Sequence, residues 1–171
     1  MEVKEAVKTR RSIRKYKRIA VQDQLILECL DVARWAPSAN NSQPWEFIVI
    51  RNPETMKKLG DIHHGGSFMA DSLVVVVFLA DPRRSPSCYH GDVAVAAQSF
   101  MLAAHSIGLG TCWIGVINTE YEQPVKKLLG VPPDLVVLCA VSIGYPDERS
   151  SSSRRSVAEM LHWERYEGRT K

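Results

Sequence analysis

The sequence has neither G-x-G-x-x-G nor G-x-x-x-x-G-K-[ST]. Its nearest approach, Gly108-Leu109-Gly110, follows a helical stretch, whereas a dinucleotide fingerprint follows a strand. The commonest nucleotide-binding architectures are thereby excluded. Cys29, Cys88, Cys112 and Cys139 are scattered without a C-x-x-C pair, so they read as reduced thiols. His63, His64, His90 and His105 have no spacing that brings three zinc ligands together, and no metal is expected. The nucleophile elbow G-x-S-x-G is missing, and Cys112 has no basic partner near it in sequence. No side chain therefore stands out as a covalent catalyst. The longest apolar run, residues 73–80, is far too short to span a bilayer, and the amino terminus has no apolar signal core. A net charge of +3 falls short of a dedicated nucleic-acid binder. These absences predict a cytoplasmic protein with no membrane, metal or nucleic-acid partner.

What the sequence does contain suits a single domain over residues 1–171, with 45% hydrophobic and 24% charged residues. Residues 3–7 are amphipathic and predict a short first helix. Over 24–36, Leu25 or Ile26, Cys29, Leu30, Ala33 and Ala36 recur at helical spacing until Pro37 stops them. Residues 45–51 predict a strand, and 53–61 a short helix with Pro53 in its first turn. Residues 73–80 are β-branched and apolar on both faces, the pattern of a central strand covered on both sides. The longest helical pattern runs over 90–107, where Ala94, Ala96 and Ala103 leave so little polar surface that the helix should be buried. Asp92 reads there as an acid favouring a helix start. A short strand is expected over 111–117, a helix over 124–129, a second doubly covered strand over 135–143 and a final amphipathic piece over 157–163. Strands alternating with helices indicate an α/β or α+β layered domain. With only about four strands, and a buried helix competing for the core, a simple Rossmann sheet fits poorly.

Two stretches carry chemistry. Arg10-Arg11-Ser12-Ile13-Arg14 crowds like charges together, which is unfavourable unless an anion or carboxylates lie opposite. Guanidinium forks match phosphate oxygens, and a serine hydroxyl adds one more bond. A solvated basic patch is the alternative. Pro37-Ser38-Ala39-Asn40-Asn41-Ser42-Gln43-Pro44-Trp45 joins a helix to a strand between two prolines. It is either a tightly capped loop or a rigid polar surface that presents amides and a hydroxyl to a ligand.

These stretches occur in order with Gly108-Leu109-Gly110-Thr111-Cys112-Trp113-Ile114-Gly115 and with Gly144-Tyr145-Pro146 ahead of Arg154-Arg155. In that order and spacing the chain resembles the FMN-dependent nitroreductase family over essentially its whole length. The resemblance implies an α+β fold with a central, mostly antiparallel sheet flanked by helices. It also implies an intertwined homodimer, with FMN at the interface and the long apolar helix at its centre. Arg10, Ser12 and Arg14 would hold the FMN phosphate and ribityl chain, with Arg11 close by and Arg154 or Arg155 closing the phosphate site. Pro37, Ser38 and Ala39 would reach the flavin from the partner subunit, and Asn41 and Gln43 would bond ring or ribityl atoms. Cys112, Trp113, Ile114 and Gly115 would lie along the isoalloxazine.

NADH or NADPH would reduce the flavin, and a nitroaromatic, quinone or similar small acceptor would reoxidise it in the same pocket, in ping-pong fashion. Related enzymes often place a lysine or arginine near flavin N1, just ahead of the apolar strand. Residues 61–71 contain neither, and His64 and Ser67 are the candidates to substitute. That departure keeps a second expectation in view, a flavin-binding carrier or sensor without turnover.

Overall fold

The strands β1 (Trp45–Ile50), β2 (Val74–Ala80), β3 (Gly110–Gly115) and β4 (Val136–Gly144) form one sheet in the order β1-β2-β4-β3. Every neighbouring pair is antiparallel. The structure, a computed structural model, describes residues 1–166. Among the described residues five α-helices cover the sheet: α1 (Val3–Thr9), α2 (Asp23–Ala33), α3 (Pro53–Ile62), α4 (Tyr89–Ser106) and α5 (Glu122–Leu129).

Every residue of β2 is buried, as its two-faced apolar pattern requires. Successive side chains of a strand point to opposite faces, so β2 feeds two cores. Val74, Val76, Phe78 and Ala80 pack with Ile26, Cys29 and Ala33 of α2 and with Phe100 and Ala104 of α4. Val75, Val77 and Leu79 pack with Met56 and Leu59 of α3 and Val125 of α5. Burying a side chain of this size contributes roughly 1.5–3 kcal/mol, which sets β2 at the centre. Opposite it, Phe78 pairs with Cys139 and Leu79 with Val137, so Leu138 is the extra residue of a β-bulge. The amides of Val116 and Ile117 both donate to the Leu138 carbonyl at 3.1 Å.

Helix α2 stops at Ala33, three residues short of the periodic pattern, and Trp35 and Ala36 continue in turns, donating to the carbonyls of Val32 and Ala33 at 3.1 Å each, before Pro37. Helix α4 is buried along one side by Val93, Ala96, Ala97, Phe100, Met101 and Ala104, whereas Val95 lies open. It is therefore buried along one side, and not all round as its composition predicts. Residues 157–163 form only a 3₁₀ turn, Val157–Glu159, followed by exposed Met160, Leu161 and Trp163.

The arginine segment crosses the end of the sheet beside β3. Ser12 bridges to Thr111 and Tyr16 to Pro146. The Ile13 amide donates to the Thr111 carbonyl at 2.9 Å, and the Lys17 amide to the Tyr145 carbonyl at 2.8 Å. Tyr16 donates its phenol to the Ile13 carbonyl at 2.5 Å, and the buried Ser142 hydroxyl lies 2.7 Å from the same oxygen. Two glycines that face each other across β3 and β4 admit this segment. A Cβ on Gly110 would lie 2.8 Å from Ile13 Cγ1, and one on Gly144 2.8 Å from Tyr16 Cδ1.

Candidate active site

An extended segment sends alternate side chains to opposite sides. Arg10, Ser12 and Arg14 all act on Cys112 of β3: the Ser12 side chain hydrogen-bonds its sulfur, and both guanidinium groups favour the thiolate. Burial outweighs them and pushes the thiol up. Arg14 lies over the Phe68 ring, 5.9 Å from its centroid, in the 3₁₀ turn Ser67–Asp71. Arg14 thus brings a cation to the stretch that has none of its own. His63 and His64 instead contact Tyr121, His63 tilted at 4.5 Å between centroids and His64 edge-on at 6.1 Å.

Burial, and then the like charges of Arg11 and Arg154, pull the Arg10 guanidinium below its ordinary value. Among the described residues, Arg10, Arg11, Arg14 and Arg154 form no ion pair with a carboxylate. Glu148 accepts from the backbone amides of Arg14 at 2.5 Å and Lys15 at 3.2 Å, so it orients the segment's backbone. Arg154 donates to the Ser152 hydroxyl and Ser153 carbonyl, both at 2.8 Å, which steadies it beside Arg10. Arg155, like Arg154, is exposed. Arg11 turns the other way and donates to the carbonyls of Lys8 at 2.7 Å and Arg10 at 2.8 Å, closing the end of α1.

The 37–44 loop is built differently. Asn40, Asn41 and Gln43 all have left-handed backbones, with φ of 51°, 54° and 47°. Asparagine tolerates that region better than most residues, which gives the two asparagines a backbone reason to be there. Ser38 Oγ accepts from the Gln43 amide at 3.0 Å, and Gln43 Nε2 donates to the Asn41 carbonyl at 3.2 Å. Asp92 is more than an acid at a helix start. It is buried, accepts from the Ser85 hydroxyl at 2.7 Å and from the Ala39 amide at 3.3 Å, and so ties the loop to α4.

The two groups do not meet within one chain. Pro44 accepts from the Asp81 amide just beyond the last residue of β2, and the loop enters β1 at one edge of the sheet. The arginine segment lies at the other edge, where Gly110 pairs with Gly144 and Ile143 pairs with Val74 at the first residue of β2. Seven strand residues separate those ends by about 20 Å. Pro37, Ser38, Ala39, Asn41 and Gln43 therefore occupy the diagonal corner from Arg10, Ser12 and Arg14. Cys112, Trp113, Ile114 and Gly115 follow the arginine corner along β3, with Ile114 in the α3–α5 core and Trp113 against the α2–α4 core.

The nitroreductase family model matches residues 7–70 and 63–145. The chain belongs to the nitroreductase family. A Methanothermobacter thermautotrophicus protein with the provisional name NADH dehydrogenase/NAD(P)H nitroreductase is 36% identical, covering 97% of this chain and 88% of its own length. An FMN-dependent nitroreductase of Clostridium difficile superposes with a TM-score of 0.89 at 32% identity, over 96% of this chain and 100% of that one. A provisionally named nitroreductase of Desulfovibrio desulfuricans, solved in complex with FMN, gives 0.86 at 31% identity, over 98% and 99%. Among the described residues no helix is long and apolar enough to cross a membrane, and no cluster of three or more metal-ligating side chains occurs.

Several residues that shape this nitroreductase's corners left no signal in the sequence. Asp92 reaches a loop 53 residues away, and Glu148 reaches Arg14 across 134. Thr111 and Ser42 carry buried hydroxyl oxygens without a hydrogen-bond partner among the described residues. Only the fold brings such single residues to a site.

Proposed function

We propose that the chain is an FMN-dependent NAD(P)H oxidoreductase, acting in the cytoplasm as a homodimer with FMN at the interface. It passes electrons to nitroaromatic, quinone or similar small acceptors by a ping-pong mechanism. One observation carries the reading: Arg10, Ser12 and Arg14 all lie near enough to act on the Cys112 thiol, with Arg154 near enough to act on Arg10 and no carboxylate ion-paired to them among the described residues. Such a cluster fits a phosphate monoester, whose oxygens accept from guanidinium forks and a hydroxyl. FMN held there would supply two-electron redox chemistry between NAD(P)H and an acceptor.

The chain's own residues bind and orient. Arg10 and Arg154 hold the phosphate, Ser12 and Arg14 the adjoining chain, and Arg11 sets the end of α1 from which Arg10 projects. Burial keeps the Cys112 thiol protonated, so this part of β3 adds no negative charge where reduced flavin already carries it. Trp113, Ile114 and Gly115 continue the surface along the ring. Because one chain's loop stands about 20 Å from its own arginines, Pro37, Ser38, Ala39, Asn41 and Gln43 serve the partner's cofactor. Val95 on α4 and the exposed Trp35, Val157 and Trp163 supply apolar surface for that partner.

The test is anaerobic mixing of the FMN-loaded protein with NADH and, separately, NADPH, followed by an acceptor. Loss of the yellow absorbance with at least one nicotinamide, and its return with nitroaromatic or quinone, is the expected result. A flavin that stays oxidised with both would overturn turnover and leave the carrier or sensor reading.

A further inference from the structure

A cleft of about 450 Å³ opens behind the arginine segment, between the end of α1, the end of α4 and the start of β3. Thr9, Arg10, Arg11, His105 and Thr111 line it, whereas Ser12, Arg14 and Cys112 do not. Strand alternation separates Cys112, which faces the proposed cofactor side, from its neighbour Thr111, which faces the cleft, while Arg10, at the head of the segment, borders both.

Two polar atoms at this cleft are unexplained by the fold. The Thr111 residue is 1% exposed, and its hydroxyl oxygen has no partner among the described residues. Arg11 Nε is likewise buried without one. Folded proteins rarely leave such groups unsatisfied, because each forfeits its hydration without replacement. The charge around them is positive on balance. Burial and then Arg10 and Arg11 hold the His105 imidazole toward its neutral form, against the opposing pull of Glu5. His105 Nε2 lies 2.8 Å from Thr9 Oγ1, which fixes the ring at the cleft wall. Arg149 and Glu148 stand at the rim, the latter already holding the Arg14 and Lys15 amides.

We propose that this cleft is a second anion site, distinct from the one for the cofactor, that takes a phosphate-class dianion through Arg11, Thr111 and His105. Only the word second rests on placing the FMN phosphate on the Cys112 side. The dianion is either free inorganic phosphate or the ribose 2′-phosphate of NADPH, and the same chemistry recognises both.

The experiment titrates inorganic phosphate into the FMN-loaded protein, read by calorimetry and by the phosphorus resonance of the retained flavin. One phosphate per chain should bind without displacing FMN. Thr111→Val keeps the shape and removes the orphan hydroxyl, so it should raise the melting temperature without phosphate, yet weaken phosphate binding about tenfold or more. His105→Gln should weaken it too, and Arg14→Gln should lose flavin but keep phosphate. If the 2′-phosphate is the natural source, Thr111→Val raises KM for NADPH about tenfold and leaves KM for NADH unchanged. If free phosphate is the source, neither KM moves and only the phosphate isotherm is lost. Phosphate that competes with FMN and vanishes in Arg14→Gln would overturn the proposal, because the two sites would be one. So would a Thr111→Val protein that binds phosphate, NADPH and NADH as the parent does. A protein that never holds FMN would refute the proposed function alone, since the Thr111-dependent phosphate isotherm is measured equally well without it.

Discussion

The arginine corner and the asparagine loop are both polar, both short and both close to the sheet, yet they are held in opposite ways. Around Arg10, Ser12 and Arg14 the backbone is extended, and the intervening Ile13 and Tyr16 are buried, so core packing aims the polar groups outward. In the 37–44 loop three left-handed residues carry the strain, and Ser38 and Gln43 turn their side chains inward onto the loop's own backbone. The first corner is pre-organised to meet charge. The second is pre-organised as a shape and offers a ligand mostly backbone and a few remaining side-chain atoms. A phosphate demands strong, directed donors; a flat ring demands a contour.

The sharpest way to break this division is to separate the corners onto different chains. A subunit carrying Arg10→Ala and Arg14→Ala, and another carrying Asn41→Val, which disfavours the left-handed backbone, should each bind FMN about a hundredfold or more weaker as homodimers. Co-expressed as a mixed dimer they should restore one site in two, because one arginine corner then meets an intact loop. Flavin-to-protein stoichiometry of the purified mixed dimer decides it, and a value near zero means both corners serve the flavin of their own chain.

Next in size is the clearance under the arginine segment. Gly144→Ala would place a Cβ 2.8 Å from the Tyr16 ring and 3.0 Å from the Ser72 carbonyl. That overpacking should cost about 1–3 kcal/mol in urea unfolding. Gly91→Ala, which meets nothing within 4 Å, should instead stabilise by roughly 0.5–1 kcal/mol. Equal effects at the two positions would mean that the glycine pair does not seat the segment.

Asp92→Ala acts on the loop alone. It removes the acceptor for the Ser85 hydroxyl and the Ala39 amide and should cost about 1–3 kcal/mol. Amide exchange should accelerate at Ala39 and remain slow at Ile13; acceleration at both would join the corners into one unit. The smallest effect is electrostatic. His105 has its pKa lowered by burial and by Arg10 and Arg11, so near its ordinary value of about 6.5 the unfolded chain binds more protons than the folded one. Stability is therefore full above that value and falls as pH drops through it. Urea midpoints at pH 8 and 5.5 should differ less in His105→Gln than in the parent.

Much of the fold was legible because burial on both faces leaves a compositional mark. The apolar runs at 73–80 and 135–143 became β2 and β4 within a residue or so, and the alanine-rich 90–107 pattern became α4. Less was legible where a residue's conformation depends on its neighbour or on contacts far away in sequence. Helix α2 ended three residues before its apolar period did, and the amphipathic 157–163 stretch finds no core of its own among the described residues. The arginine cluster announced itself by density. Its division into two sides did not, because that follows from Ser12 and Thr111 bridging, a pairing 99 residues apart in sequence that no local pattern encodes.

The glycine pair beneath the arginine segment has one more consequence, for how the protein comes apart. With Ile13 seated on Gly110 and Tyr16 on Gly144, the charged corner has no hinge by which to peel away while the sheet survives. Its amides, donating into Thr111 and Tyr145, belong to the same cooperative unit as the strands they lean on. Heating should release a bound anion and melt the sheet in a single transition, so the charge cluster is as durable as the core, and no more.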